Sequence, residues 1–163
     1  MAADERTVRL RPLRADEFPA FFGASKAGYA QGIEVQGGQS HAAAQQKADA
    51  DMAAVLPRGL ETPGHTIYLV EADGHPVGRL WLAERESGGR RVIWVYDISI
   101  DDEHQGRGYG RSAMRLAEAE ARARGIGRIE LHVFGGNDVA RGLYRSLGYV
   151  ETSVQMAKDL AEL

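Results

Sequence analysis

Cysteine is missing altogether from these 163 residues. Its absence excludes disulfides, thiolate-held zinc, iron–sulfur clusters and a cysteine nucleophile. It also fits a reducing setting, so a cytoplasmic protein is expected. An excess of positive charge is lacking too: 20 Lys and Arg against 23 Asp and Glu give a formal net charge of −3. A nucleic-acid binder normally carries a basic excess, so no nucleic-acid partner is expected. No apolar run approaches the ~18 residues of a membrane span, so no membrane partner is expected either. The opening residues, Met1 to Arg6, have no apolar core of the kind a signal peptide needs. His65, His75, His104 and His132 share no metal-ligand spacing and read as ordinary surface or strand histidines, so no metal is expected.

What is present is ordinary, with one exception. Hydrophobic residues at 44% and charged residues at 26% suit one globular domain spanning residues 1–163. Glycine stands out at 20 residues, about 12% against a usual ~7%. No collagen-like period accompanies it, so the glycines punctuate turns and backbone contacts.

Residues 7–13 alternate in polarity as a half-exposed first strand, and Asp16 opens a short helical stretch through Phe18, Phe21 and Phe22. Five glycines in residues 23–39 predict a mobile loop. Ser40 is suited to cap an alanine-rich helix that runs to Leu56, where Pro57 stops it. Strands follow at 66–70, 76–82 and 91–100, separated by turns at Asp73-Gly74 and Gly88-Gly89. Residues 107–124 carry helical spacing, with Glu118–Arg122 and Glu120–Arg124 as i, i+4 pairs. A strand at 129–134, a helix capped by Asn137 and a last strand at 149–156 complete the order. The class is α+β.

The segment Gln105-Gly106-Arg107-Gly108-Tyr109-Gly110 lies between the most apolar strand and a helix. Glycines at alternate positions let backbone approach a ligand without Cβ interference. The free N–H groups and dipole of a helix start favour an anion, most simply a phosphate. Composition and spacing leave two readings open: a phosphate or pyrophosphate site, or a glycine-rich turn without a ligand. Gly110 is followed by Arg111 and Ser112, not by the Lys-Ser/Thr that ends an ATP-binding P-loop. The G-x-G-x-G spacing also differs from the dinucleotide fingerprint, G-x-G-x-x-G.

This hexapeptide resembles the Q/R-x-x-G-x-G/A signature of the GCN5-related N-acetyltransferases. The segment Asn137 to Tyr149, NDVARGLYRSLGY, is similar to that family's second motif, N-x-x-A-x-x-L-Y-x-x-x-G-F/Y. Two motifs in order, about 30 residues apart, are far more specific than either alone. The resemblance covers essentially the whole chain. It implies the GNAT fold: a mixed, mostly antiparallel central sheet flanked by helices, with strands splayed around the cofactor.

It also implies roles. Acetyl-CoA is the expected cosubstrate, its pyrophosphate held by the backbone of Gln105, Gly106, Arg107, Gly108, Tyr109 and Gly110. Main-chain groups at Ile98 and Ile100 would pair with pantetheine, aided by a bulge that parts this strand from residues 129–134. Asn137 matches the asparagine that contacts pantetheine or a bound water. Tyr144 matches the tyrosine near the sulfur and is the expected general acid. Histone-type relatives carry a glutamate 11 residues before the motif glutamine, but this chain has Trp94 there. Asp97 and Glu84 are therefore the two carboxylates considered as general base, directly or through water. The expected reaction is direct acetyl transfer to a primary amine of a small molecule. The alternatives are a protein lysine or N-terminal acceptor, and a non-catalytic CoA-binding regulatory module. The acceptor would lie against residues 22–40 and the region after Tyr149. A homodimer is left open.

Overall fold

The computed structural model describes residues 7–161; the Met1–Arg6 stretch read for a leader lies outside them. The elements, in order, are β1 (Val8–Pro12), α1 (Phe18–Gly37), α2 (His41–Val55), β2 (His65–Ala72), β3 (His75–Ser87), β4 (Arg90–Ile100), α3 (Tyr109–Ala123), β5 (Ile129–Leu131) and α4 (Asp138–Ser146). The sheet order is β1-β2-β3-β4-β5. The first four strands pair antiparallel and β5 joins β4 in parallel.

Two hydrophobic clusters sandwich this sheet. On one face Val70, Leu80, Leu82, Ile93 and Val95 pack with Ala113, Met114 and Ala117 of α3 and Tyr144 of α4. On the other, Trp81 and Ile67 meet Phe21 of α1 and Met52 of α2. Alternation along the strands sends successive side chains to opposite faces, so one sheet supplies both clusters. The hairpin turns behave as read: Asp73 and Gly74 both have positive φ, as do Gly88 and Gly89. Tight two-residue hairpins demand that backbone. Ser40 accepts a hydrogen bond from the Ala43 N–H and caps α2. The pairs Glu118–Arg122 and Glu120–Arg124 form at 3.8 and 2.8 Å.

Three expectations are corrected. The glycine-rich stretch 23–39 is not a loop; most of it is the body of the 20-residue helix α1. Each interior glycine costs about 1 kcal/mol against alanine, but close packing uses the missing side chains. A Cβ on Gly32 would run into the ring of Phe134, whereas one on Gly28 would make only ordinary contact with Arg79. Phe21 packs edge-on against Trp81 of the sheet, and Ala30 and Ile33 are buried further along the helix. Secondly, residues 129–134 do not remain a strand to their end. Pairing stops at Leu131, because β4 changes register there and the two strands part. Thirdly, residues 149–156 form no strand: from Val150 to Ala161 the chain is exposed and has no ladder partner.

Candidate active site

The site begins with one extra residue. β4 pairs with β3 as Leu82↔Val95 and then Trp81↔Asp97, leaving Tyr96 as a bulge. A bulge bends its strand and ends regular pairing. The β4–β5 ladder closes with Val95↔Leu131, at the same level. Beyond it the strands splay around a cavity of about 160 Å³. Val95 to Ile98 form one wall and Leu131 to Phe134 the other, with Asn137, Ala140 and Tyr144 of α4 closing one side. In an antiparallel strand, alternate main-chain groups point to each neighbour. Past Asp97, those on the β5 side of β4 have lost their strand. The slot therefore offers backbone donors and acceptors to an extended ligand.

The glycine loop stands where β4 ends. Gln105 does more than occupy the loop: its side-chain amide donates to the Ile100 carbonyl at 3.0 Å and to Asp102 at 3.1 Å. Arg107 donates to the Glu103 carbonyl at 3.2 Å. These bonds brace the turn against the strand. Gly106 and Gly108 have φ of 74° and 82°, with open space where a Cβ would be. Gly108 is the N-cap of α3, and the first turn of a 15-residue helix presents N–H groups that have no intrahelical acceptor. Gly110 fits closely instead, since a Cβ there would lie 3.4 Å from Leu143. An anion has both the space and the donors it needs at this loop.

Tyr144 lines the slot from α4 and is 9% exposed. Burial, with a contribution from the nearby Asp97, pushes its hydroxyl up to about 12. It stays protonated at neutral pH and so has a hydrogen to donate. Asn137 also lines the slot, and its side-chain oxygen accepts from the Ala140 N–H at 3.2 Å. It is thus a cap, worth about 1 kcal/mol, placed at the ligand wall.

The two carboxylates separate. Asp97 lines the slot, and its carboxylate is held by Arg79 at 2.7 Å. Glu84 is not brought to the slot. It is bound by Arg91 at 2.8 Å and Arg124 at 3.5 Å, and the Arg91 guanidinium is the main cause of its lowered pKa. Trp94 stacks under the Arg85 guanidinium, 4.6 Å from the ring centre, with Tyr96 beside it.

The sequence reading missed His132, Phe134 and Tyr96 as slot residues. His132 had been set aside as an ordinary strand histidine, yet it lines the cavity with its ring edge-on to Phe134. The C-terminal half of α1 was missed as well. It reaches the slot through Gly32, against Phe134, and through Gln36, whose side chain accepts from the Gly136 N–H at 2.7 Å. Among the described residues, no group of three His, Cys, Asp or Glu is arranged to hold a metal ion, and no helix is long and apolar enough to cross a membrane.

Comparison with known proteins agrees with this geometry. Residues 27–149 match the Acetyltransferase (GNAT) family. The uncharacterized N-acetyltransferase YycN of Bacillus subtilis is 32% identical over 155 residues, 94% of this chain and 99% of the relative. Its crystal structure superposes with a TM-score of 0.90, covering 96% of this chain and all of the other. A mycothiol acetyltransferase of Saccharomonospora viridis is 36% identical over 99 residues, 56% of this chain and 32% of that enzyme. An acetyltransferase structure from Clostridium acetobutylicum with acetyl-CoA shares the fold at a TM-score of 0.61 and 13% identity.

Proposed function

We propose that this chain, which belongs to the GNAT family of acetyltransferases, transfers the acetyl group of acetyl-CoA directly to a primary amine of a small molecule. The observation that carries this reading is the slot itself. The bulge at Tyr96 opens β4 from β5, the glycine loop lies at the end of β4, and a buried, protonated Tyr144 stands in the wall. When bound, acetyl-CoA supplies a thioester carbonyl activated toward amines.

Each residue then has a task. The backbone of Gln105 to Gly110 receives the pyrophosphate. Main-chain groups at Ile98 and Ile100 pair with the pantetheine arm, although the Ile100 carbonyl is already engaged by Gln105. A β4 N–H in this stretch holds the negative charge that builds on the carbonyl oxygen. Asn137 steadies the arm while capping α4. The Tyr144 hydroxyl donates to the departing sulfur. Of the two carboxylates, Asp97 is the one positioned to take the amine proton, through water, since Arg79 occupies one of its oxygens. Glu84, held elsewhere by two arginines, is left with a structural task.

The small-molecule acceptor is supported by relatives over about half of this chain that are named mycothiol acetyltransferases, enzymes named for a small molecule rather than a protein. The acceptor would reach the slot beneath α1, where Gly32 lies against Phe134 and Gln36 binds Gly136. We place the reaction in one domain spanning residues 1–163 and in the cytoplasm. The test is thiol release from acetyl-CoA across a panel of small amines, lysine peptides and peptide N-termini. Turnover on small amines above that on peptides is expected, and turnover confined to peptides would refute the acceptor class. A thermal melt accompanies it. A ligand at 100 times its dissociation constant adds about 2.7 kcal/mol, so acetyl-CoA should raise the melting temperature and NADH should not.

A further inference from the structure

The sheet face that carries α1 holds a second group of side chains beside the slot. Arg85 of β3 points to this face, as Trp81 does four residues earlier. Its guanidinium carbon lies over the Trp94 ring, 4.6 Å from the centre, and 5.8 Å from the centre of the Tyr96 ring. Tyr96 stacks on Trp81 at 4.7 Å and meets His65 at 5.4 Å, so the platform under the guanidinium is rooted in the core. Tyr96 is also the bulge residue, and it lines the slot. Arg85 is thus one ring away from the acetyl-transfer slot.

Arg85 has no counter-charge there. Arg79, Arg91 and Arg124 each reach a carboxylate at 2.7 to 2.8 Å. Among the described residues, Arg85 makes no hydrogen bond and no ion pair. Glu130, the carboxylate opposite Trp94 in the β4–β5 ladder, is taken by Arg128 and Ser87. His65 accepts from the Trp81 indole at 2.9 Å through Nδ1, and burial and then the Arg85 charge lower its pKa, so it is neutral at neutral pH.

A guanidinium seated by its face on a ring keeps its in-plane N–H donors free at the edge. That edge matches a carboxylate through two parallel hydrogen bonds. One guanidinium balances the single charge of a carboxylate, whereas a phosphate group, at about −1.5 to −2, would stay partly unmatched. Arg85 is exposed and Trp94 and Tyr96 are half-buried, so a solute can reach the group. A cation at this place repels an acceptor whose only charge is its ammonium, and attracts one that brings an anion at its other end.

We infer that the acceptor carries a carboxylate as well as the amine, and that Arg85 binds this carboxylate while the amine enters the slot past Tyr96. The inference rests on the small-molecule acceptor proposed above and narrows it to amino carboxylates. Arg85 selects the substrate and takes no part in proton transfer.

Thiol release from acetyl-CoA, measured with the full chain on matched acceptors, tests it. The acceptors are ω-amino acids of increasing chain length and α-amino acids, each beside its own carboxamide, with tyramine and putrescine as amines that lack an anion. At the preferred length, kcat/KM for the acid is expected to exceed that for its amide by roughly 10–100-fold, the worth of a charge-assisted pair. In Arg85→Met, which keeps an apolar stem on the rings, that ratio should fall to about one through the KM of the acid rather than kcat. Arg85→Lys, with the charge but not the fork, should lie between. Calorimetry with acetyl-CoA checks that both variants are folded. Acids and amides used equally by the natural chain, or an acid preference that survives Arg85→Met, would overturn the inference, and turnover of tyramine or putrescine would then leave the small-amine reading standing. Turnover confined to peptides would overturn both.

Discussion

Removing one oxygen atom, the hydroxyl of Tyr144, tests the chemistry most directly. Tyr144→Phe keeps the ring that packs against Tyr149, centre to centre at 5.8 Å, and keeps the contact with the core. The fold should therefore survive with a stability change within about 1 kcal/mol, the scale of one hydrogen-bonding group. The expected kinetic effect is larger. A positioned acid contributes roughly 10²-fold or more, which is about 2.7 kcal/mol of barrier.

The direction of proton transfer needs care. A buried tyrosine at about 12 is a weaker acid than an ordinary thiol near 8.5, so full transfer in isolation runs uphill. The burial that raises the phenol penalises a thiolate in the same way, however, and the gap narrows for a sulfur inside the slot. The hydroxyl is most effective as a donor to a sulfur that is gaining charge. Steady-state kinetics on an amine that turns over should show kcat reduced ~10²-fold, with the KM for acetyl-CoA little changed. The shape of the pH profile below 10 should be the same in both proteins, because Tyr144 itself does not ionise there. Full activity in a folded Tyr144→Phe would refute the donor role. A loss of acetyl-CoA affinity equal to the loss of rate would assign the residue to packing instead.

Gly108→Val forces a branched side chain onto a φ of 82°, a left-handed backbone that costs roughly 1–2 kcal/mol for a residue with a Cβ. The folded variant should lose most of its acetyl-CoA binding by calorimetry, and unchanged affinity would move the pyrophosphate elsewhere. Gly32→Val drives a side chain into Phe134; overpacking of this kind costs about 1–3 kcal/mol, and the amine KM should rise more than that for acetyl-CoA. An amine KM that stays put would detach α1 from the acceptor. Asp97→Asn should lower kcat with the KM for acetyl-CoA little changed, whereas an unaltered kcat would exclude Asp97 as base. Glu17, lowered to about 2 chiefly by its hydrogen bond to Arg11, and Glu71, lowered by Arg11 and Arg9, have folded pKa values below their unfolded ones. Their stabilisation is complete above about 4.5 and is lost as pH falls toward 2. Glu71→Gln should flatten that limb of an acid melt, and an unchanged limb would show that other carboxylates control it.

The legible part of the molecule was the part governed by local rules. Ser40 and Asn137 cap the helices they were expected to cap, and the Asp73-Gly74 and Gly88-Gly89 turns follow from the backbone those residues allow. The α1 region was misread because glycine content is a statement about intrinsic preference. At Gly32 the missing side chain is instead a packing choice made by Phe134, 102 residues away in sequence. Tertiary contact overrides propensity in this way throughout proteins. His132 and Phe134 were unrecognised for a related reason. Their position in the slot depends on where β5 stops pairing, and a strand's end is set by its neighbour. The last strand was misread because alternation with period two makes a strand possible but does not supply the ladder partner it needs, and residues 150–161 have none.

The bulge, by contrast, is written in β4 itself. Ile93 and Val95 face the α3 side of the sheet, and so do Ile98 and Ile100. Odd positions point inward before Tyr96 and even positions after it. A regular strand could not do this, because its side-chain period is two and a shift of one residue turns every later side chain over. Without the extra residue, Asp97 and Ser99 would enter the apolar cluster, and an uncompensated buried carboxylate is among the costliest changes a core can suffer. With it, Ile98 and Ile100 fill the core while Asp97 turns to meet Arg79 across the ladder. The phase slip in VIWVYDISI therefore forces the bulge for reasons of core stability alone. The same bulge ends the pairing with β5 and opens the slot. Fold and site share one cause here, so a substitution that restored regular alternation would close the cavity even as it regularised the sheet.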